Sequence, residues 1–599
     1  MNMFSRSLKV ISSFVTKQRR PPPHVFFQKA FQSSGGLLII KPGFQSFEQL
    51  MKPSIAYVDK TAPLVDLVRF DTPYDRVFLS RPRKWGKSVT VDTLACLFQN
   101  KRDLFEGTEI CDHPDVEWIE YPVVRLDFSI LKVHDLRRDL VVELASIGTS
   151  YGVTVGLTPS STKADVVNVE RAAKQLFTQL ASNSKTGKIV LLVDEYDAPV
   201  TKLLEWRNKT ADALLVENLQ ILQEFYSVVK ALGHLFRFQF VTGVSKFVKS
   251  GVFSGVNHLT DISMIPRFSS MLGFTWEEIQ TDFAPHLLAL GKELNLSSDD
   301  LHAKITQWYN GYSWCGPDRV YNPYSICRLL SDQTFEPYWI QAGTPGWLLR
   351  LINHAAVVNT TEWDNQFVAK SKFDEIELNT MGNHSFDITN LLFRTGYLTV
   401  KDQQQDPNNM KTSLLLGYPN FEVRDTFLPQ VVRTLCPKMP DITECQRLLN
   451  NDDVVGFFMH LATTAFASIP GNISMPDEKW FHSIVHVILV MMGHEYPSEL
   501  WDASGRLDLK VGNAYVEVKS AAIGNQGGLA ELNLEEKTGS KQVVNRKPDN
   551  ISADRLVVIF NSKPPRGLLK IVSVARGREN KVLYQSPELL SAIETRSTP

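Results

Sequence analysis

Three groups of residues have types and spacings suited to chemistry. The first lies in Gly505-Arg-Leu-Asp-Leu-Lys-Val-Gly-Asn-Ala-Tyr-Val-Glu-Val-Lys519, where polar and apolar residues alternate as on a β-strand. Gly512-Asn513 suits a two-residue hairpin loop. Strict antiparallel register then sets Asp508 opposite Glu517 and Arg506 opposite Lys519, and leaves Leu507, Leu509, Val511, Ala514, Val516 and Val518 on the other, buried face. Like charges facing each other across a ladder are unfavourable unless a cation sits between them, so the pattern points to a divalent metal held by Asp508 and Glu517. The second group is Arg81-Pro-Arg-Lys-Trp-Gly-Lys-Ser88, set between the apolar run Val77–Ser80 and a helical run from Val89 to Phe98. With strand, loop and helix in that order, the backbone of Arg83, Lys84, Trp85 and Gly86 and the helix N-terminus would cradle phosphates. Lys87 would reach the β- and γ-phosphates, and Ser88 would bind Mg2+. The third group is Lys188-Ile-Val-Leu-Leu-Val-Asp-Glu-Tyr-Asp197, an apolar strand ending in acids. Here Asp194 would hold the same Mg2+ and Glu195 would polarise the attacking water as general base.

These groups need elements that bring them together. Pro122–Phe128 and Phe236–Lys246 read as two more buried strands, so residues 48–274 predict an α/β domain with a parallel sheet. Polar groups at the carboxyl ends of parallel strands face the ligand crevice, which makes Thr242 a candidate sensor of the γ-phosphate. Arg81 stands where the G-x-x-x-x-G-K-[ST] pattern has its first glycine. Residues 275–430 read as a helical lid broken by the aromatic loop Trp308–Trp314, followed by a helix end and two strands that suit a winged-helix-like module. Residues 431–599 hold the hairpin, preceded by a helix that carries Glu478. Glu478, His482 and His486 also fall i, i+4, i+8 on one helical stripe, an alternative set of zinc ligands.

Beyond the individual motifs, the chain resembles the AAA-ATPase-like proteins of the P-loop class that carry a C-terminal domain of the PD-(D/E)xK nuclease superfamily. The resemblance rests on Tyr57-Val-Asp-Lys-Thr61, the loop Arg81–Ser88, Leu192-Val-Asp-Glu-Tyr-Asp197, Thr242-Gly-Val-Ser-Lys-Phe247, Gly251–Asn257, Gly273-Phe-Thr275, Tyr309-Asn-Gly-Tyr312 and Tyr321-Asn-Pro-Tyr324, and it extends from about residue 50 to beyond 560. It implies a P-loop sheet core, a helical or winged-helix-like middle region and a C-terminal restriction-endonuclease-like α/β domain. The implied cofactors are ATP and Mg2+, and the implied partner is nucleic acid, DNA before RNA. Under the nuclease pattern Asp508 and Glu517 hold Mg2+, Lys519 orients or deprotonates water, and Glu478 supports the metal or its water. Two readings follow: an ATPase coupled to a metal-dependent nuclease, or a regulatory ATPase whose nuclease fold is inactive and only holds nucleic acid. An arginine finger donated by a neighbouring copy would imply a homo-oligomer, but no residue of the sequence identifies one.

Composition bounds the rest. At 599 residues, 43% hydrophobic and 22% charged with a net charge of −1, the chain reads as a multidomain globular protein whose overall charge argues neither for nor against nucleic acid. Eleven Lys or Arg between Lys537 and Leu583, against Asp549, Asp554 and Glu579, form a local basic stretch. The six cysteines include no CxxC pair, which argues against a zinc knuckle or a secreted disulfide scaffold. No apolar run is long enough to span a bilayer. Residues 1–47 carry seven basic residues and no acid, the first acid being Glu48 just beyond them. That pattern suits a mitochondrial targeting extension, the alternative being a plain basic tail on a protein of the cytoplasm or nucleus.

Overall fold

Along the strand before the phosphate-type loop, Val77 and Leu79 belong to one apolar cluster and Phe78 to another; along the acidic strand, Val190 and Leu192 alternate with Ile189, Leu191 and Val193 in the same way. A strand apolar on both faces belongs in the middle of a parallel sheet covered by helices on each side. A computed structural model places it there. It describes residues 37–155, 168–205, 209–244, 258–315, 317–343, 348, 367–369, 388–405, 412–435, 438–468, 478–492, 500–502, 505–507, 509–512, 514–521, 528–545, 554–561, 568–574 and 580–587.

Strands β1 (Arg76–Ser80), β2 (Val123–Asp127), β3 (Ile189–Asp194), β4 (Phe236–Gly243) and β5 (Thr260–Asp261) form one five-stranded sheet in the order β2-β3-β4-β1-β5, with every pairing parallel. The chain is thus an α/β protein whose parallel core is consistent with a P-loop-like fold. Helix α1 (Lys87–Phe98) packs its Val91, Leu94 and Leu97 on one face of the sheet. Helices α2 (Leu136–Ser150), α3 (Val169–Asn183) and α4 (Lys209–Ala231) cover the other. Because β4 lies between β1 and β3, the ends of β1 and β3 open onto one crevice at the carboxyl edge.

Four helices follow: α5 (Trp276–Asp282), α6 (Ala284–Glu293), α7 (Ser298–Tyr309) and α8 (Pro323–Asp332). The first is started by a capping box, in which Thr275 and Glu278 satisfy each other's backbone N–H groups. Their cluster of Ile279, Phe283, Leu290, Ile305 and Leu329 also takes in Leu38, Ala56 and Val58 from the N-terminal segment. The short helix α9 (Tyr338–Gln341) comes next, then β6 (Phe367–Ala369), α10 (Ile388–Thr395), β7 (Thr399–Gln405), β8 (Thr412–Gly417) and α11 (Phe421–Leu435). The three strands make an antiparallel sheet in the order β6-β8-β7.

In the C-terminal part, helices α12 (Ile442–Asn450), α13 (Val454–Thr463) and α14 (Glu478–Met491) precede a two-stranded sheet of β9 (Leu500–Asp502) and β10 (Gly505–Leu507). A five-stranded sheet follows in sequence order: β11 (Leu509–Val511), β12 (Ala514–Ala521), β13 (Asp554–Asn561), β14 (Leu568–Ser573) and β15 (Lys581–Gln585). Helix α15 (Gly528–Asn545) crosses from β12 to its parallel neighbour β13. One apolar cluster runs without interruption from Phe78 and Trp85 through Trp339 and Tyr397 to Phe481, Val518 and Ile571. Among the described residues no helix is long and apolar enough to cross a membrane. The basic segment 1–36 lies outside the described residues.

Candidate functional site

The loop between β1 and α1 carries two residues in the left-handed region, Lys84 at φ 63° and Gly86 at φ 87°. Only glycine adopts that conformation without strain, which accounts for Gly86 as the residue that launches α1. Lys87 follows it and is buried. Its ammonium donates to the Pro82 carbonyl at 3.0 Å and lies 3.7 Å from Glu195 Oε1. The Ser88 hydroxyl bonds the carboxylate of Asp194, whose pKa is raised by burial and pulled back by Ser88 and Lys87. Asp194 also accepts the Glu195 N–H at 3.0 Å. Glu195 itself sits at φ 48°, a conformation that costs energy for a residue with a Cβ and is commonest where function demands it. The four residues Lys87, Ser88, Asp194 and Glu195 therefore meet at the carboxyl edge of the sheet.

Lys87, Ser88 and Glu195 line a cavity of about 320 Å³, within the range of small-molecule sites, and the buried Asp194 is tied to it through its bond to Ser88. Part of its wall is Arg83, Lys84, Trp85, Gly86, Lys87, Ser88 and Glu195. The same cavity has an aromatic recess lined by Phe44, Tyr57, Phe274 and Tyr324, together with Leu50, Lys41, Gln45 and Lys60. Lys60 is fixed there by Glu278 at 2.7 Å and by the Ser270 carbonyl at 3.2 Å. The Lys84 ammonium lies 5.1 Å from the centre of the Tyr324 ring. A cavity whose wall combines phosphate-type chemistry with flat aromatic groups can hold a nucleotide.

Residues 41–253 match the AAA-ATPase-like family, described as a predicted AAA-ATPase. An uncharacterized protein in the vnfD 5′ region of Azotobacter chroococcum mcd 1 is 30% identical to the chain over 483 residues, 78% of this chain and 86% of that protein. The chain belongs to the AAA-ATPase-like family. No solved structure matches it. The stretch matched to the AAA-ATPase-like family contains the phosphate loop and the acids of β3, while Phe274 and Tyr324, which complete the cavity, come from beyond it.

Two residues behave differently from the roles their positions suggested. Thr242 is fully buried and donates its hydroxyl to the Leu79 carbonyl at 2.7 Å, tying β4 to β1 away from the cavity wall. Arg81, in the place of a glycine, turns into the protein. Its guanidinium donates to the carbonyls of Ser80, Ser263 and Phe268 at 2.9, 2.8 and 3.2 Å and stacks over Trp314 at 4.6 Å. Burial lowers its pKa from the ordinary arginine value. Trp85 also leads out of the loop, packing edge-on against Tyr312 and Trp314 at 4.7 and 5.5 Å.

In the hairpin, Leu509, Lys510 and Val511 pair with Val516, Tyr515 and Ala514, which is the register read from the alternation. Asp508 lies outside the described residues. Arg506 does not face Lys519 in this ladder, because β10 pairs instead with β9 and sets Arg506 beside Trp501. The charged face is also covered. Glu517 and Lys519 are 1% and 3% exposed and lie 3.1 Å apart, on the side of the sheet where Tyr515, Val557 and Ile559 pack with Leu532 of α15. Glu478 is the first residue of α14; His482 and His486 farther along it are buried. Among the described residues no three His, Cys, Asp or Glu side chains come together as a metal site.

Sequence reasoning did not assign the aromatic recess. Tyr57 and Tyr324 stood in quoted motifs, but residues from non-adjacent loops carry no spacing that would announce a shared wall.

Proposed function

We propose that this chain binds ATP in the cavity beside the phosphate loop and hydrolyses it, and that the nucleotide state controls a C-terminal nuclease-like domain acting on nucleic acid, DNA first. The observation that carries the first part is the convergence of Lys87, Ser88 and Glu195 on the cavity wall, with the buried Asp194 bonded to Ser88. A hydroxyl bonded to a carboxylate is an oxygen-donor pair suited to a hard cation, and Mg2+ held by Ser88 and Asp194 would neutralise charge on the phosphate oxygens. Lys87 binds the phosphates as a buried point charge. Glu195, with its side chain 26% exposed, orients a water molecule and takes its proton as the water oxygen attacks phosphorus. The aromatic recess stacks the base.

ATP turnover by the purified chain tests this. Lys87→Ala is expected to abolish nucleotide binding, whereas Glu195→Gln keeps binding and slows turnover by about 10²–10⁴-fold, the usual range for a general base. A wild-type chain that binds no nucleoside triphosphate, or a Glu195→Gln chain with full turnover, overturns the reading.

For the C-terminal domain the support is the Glu517-x-Lys519 pair on one face of β12, with Asp508 next to β11 in sequence. Metal-dependent cleavage of single- or double-stranded DNA or RNA, lost in Asp508→Ala and Lys519→Ala, would establish a nuclease. A second reading, the regulatory ATPase with an inactive nuclease fold, is favoured by one observation: Glu517 and Lys519 are closed off from solvent. Absence of cleavage across those substrates with Mg2+ and Mn2+ decides for it.

A further inference from the structure

The phosphate loop is gripped from outside its own sheet. Trp339 of α9 donates its indole Nε1–H to the Arg83 carbonyl at 2.9 Å. Its backbone N–H donates to Glu422 Oε1 of α11 at 2.6 Å, and the Ser325 hydroxyl of α8 lies 3.1 and 3.0 Å from the two oxygens of that carboxyl group. Three helices thus meet at one buried carboxyl, and the product of that meeting is a fixed Trp339. Beside it Gly396, at φ 90°, sits so close to Pro82 that a Cβ would stand 2.7 Å from the Pro82 Cγ and 3.2 Å from the Trp339 ring. Tyr397 holds the other side of that ring at 5.3 Å.

This contact lies next to the reacting end of the proposed nucleotide site. A second cavity, of about 50 Å³, has Arg83, Lys84 and Glu195 on one side and Trp339, Thr395 and Tyr397 on the other. Such a space holds a water or two. Glu195 borders both cavities, so the smaller one adjoins the general base. Lys87 and Ser88 are held by their own helix, but Arg83 and Lys84 belong to the loop, and Lys84 keeps its left-handed conformation only if its surroundings over-determine it. A side chain that merely filled space would not need the directed bond from the indole N–H to the Arg83 carbonyl, on a residue whose backbone is itself anchored by Glu422.

We propose that Trp339 is a positioning residue for ATP hydrolysis, its indole N–H fixing the Arg83 carbonyl and thereby the loop segment that faces Glu195, with Glu422 holding Trp339 in place. The proposal rests on the nucleotide-hydrolysis reading. It makes the middle region a working part of the active site in the same chain.

The test uses the full-length chain. Trp339→Phe keeps the ring contacts and removes the donor. Its ATP turnover is expected to fall about tenfold, the scale of one buried hydrogen bond, while ADP affinity, which depends on the Lys87–Ser88 end, stays within about twofold. Glu422→Gln, which keeps an acceptor for the Trp339 N–H, retains wild-type turnover; Glu422→Leu, which has none, reproduces the Trp339→Phe loss. If the wild-type chain binds ATP without turning it over, the same tenfold is read as lost preference for ATP over ADP. A folded Trp339→Phe chain with unchanged turnover and preference overturns the proposal while leaving the nucleotide site standing. So does an equal loss of ATP and ADP binding, which would mean general loosening. A wild-type chain that binds no nucleotide overturns both. Should Trp339→Phe fail to fold, the Glu422→Gln and Glu422→Leu pair makes the same comparison.

Discussion

Glu422 offers a measurement of how the middle region is held together. Burial pushes its pKa from an ordinary 4.5 up to about 8, against the opposing pull of the Trp339 N–H and the Ser325 hydroxyl. The folded chain therefore binds this proton more tightly than the unfolded chain does. Its contribution to stability is complete below the ordinary carboxyl value, declines as pH rises through the window between the two values, and is gone above about 8. At roughly 1.4 kcal/mol per pH unit, the whole window is worth on the order of 5 kcal/mol. Glu422→Gln keeps the shape and the acceptor but cannot ionise. The titrations of all other carboxyl groups are common to both proteins and cancel in the difference. Thermal unfolding of wild type and Glu422→Gln, followed from pH 5 to pH 9, should give nearly equal midpoints at the acid end. The variant should then gain steadily, by about 10–20 °C at pH 8 if one kcal/mol moves the midpoint of such a unit by about 2–4 °C, and the gap should stop growing beyond. Parallel curves would refute the reasoning. Such parallel curves are what a buried carboxylate stabilised by its two donors would give, because it is ionised in both states across this range.

Other substitutions probe other parts of the argument. Arg81→Gly, which restores the glycine that the phosphate-loop pattern has at this position, should lower thermal stability by about 2–4 kcal/mol, because it strips the Ser263 and Phe268 carbonyls of their donor; a rise in stability or in ATP affinity would contradict the anchoring role. Phe44→Ala should weaken ATP binding measured by calorimetry by about 1–2 kcal/mol, the cost of a lost base–aromatic contact, and leave binding of inorganic triphosphate unchanged. Lys519→Met should destabilise the chain by about 3–5 kcal/mol by leaving Glu517 buried without its cation. The double variant Glu517→Leu/Lys519→Met should cost less than the sum of the single changes, and additive losses would show that the pair does not act as a unit.

The parts of the architecture legible in the sequence were those governed by short-range repetition. Val77–Ser80, Ile189–Asp194 and Phe236–Gly243 are apolar enough to be recognised as buried strands, and Gly86-Lys-Ser marks a strand-to-helix loop, because each pattern is imposed by backbone geometry over a few residues. The Val511-to-Ala514 turn was readable for the same reason. What could not be read depends on distant segments. Nothing local to Arg81 says that its guanidinium finds carbonyls at Ser263 and Phe268, and nothing local to Trp339 says that its indole meets Arg83. The cover over the charged stripe of β12 was not legible, because alternation reports which residues share a face, not which helix will later cover that face. For Thr242 the place at the end of β4 was legible, but not its bond to the Leu79 carbonyl, because a hydroxyl there can face a neighbouring strand as readily as a ligand.

The unbroken apolar seam from Phe78 to Ile571 has a practical consequence for anyone who would dissect the chain. Cutting it into an N-terminal engine and a C-terminal tool would leave each fragment with a raw oily flank that had been interior, a surface cells and test tubes alike treat as damage. Fragments made separately should clump or be degraded, whereas fragments made together have a route back to each other. The two activities proposed for this protein are inherited, expressed and lost as one object.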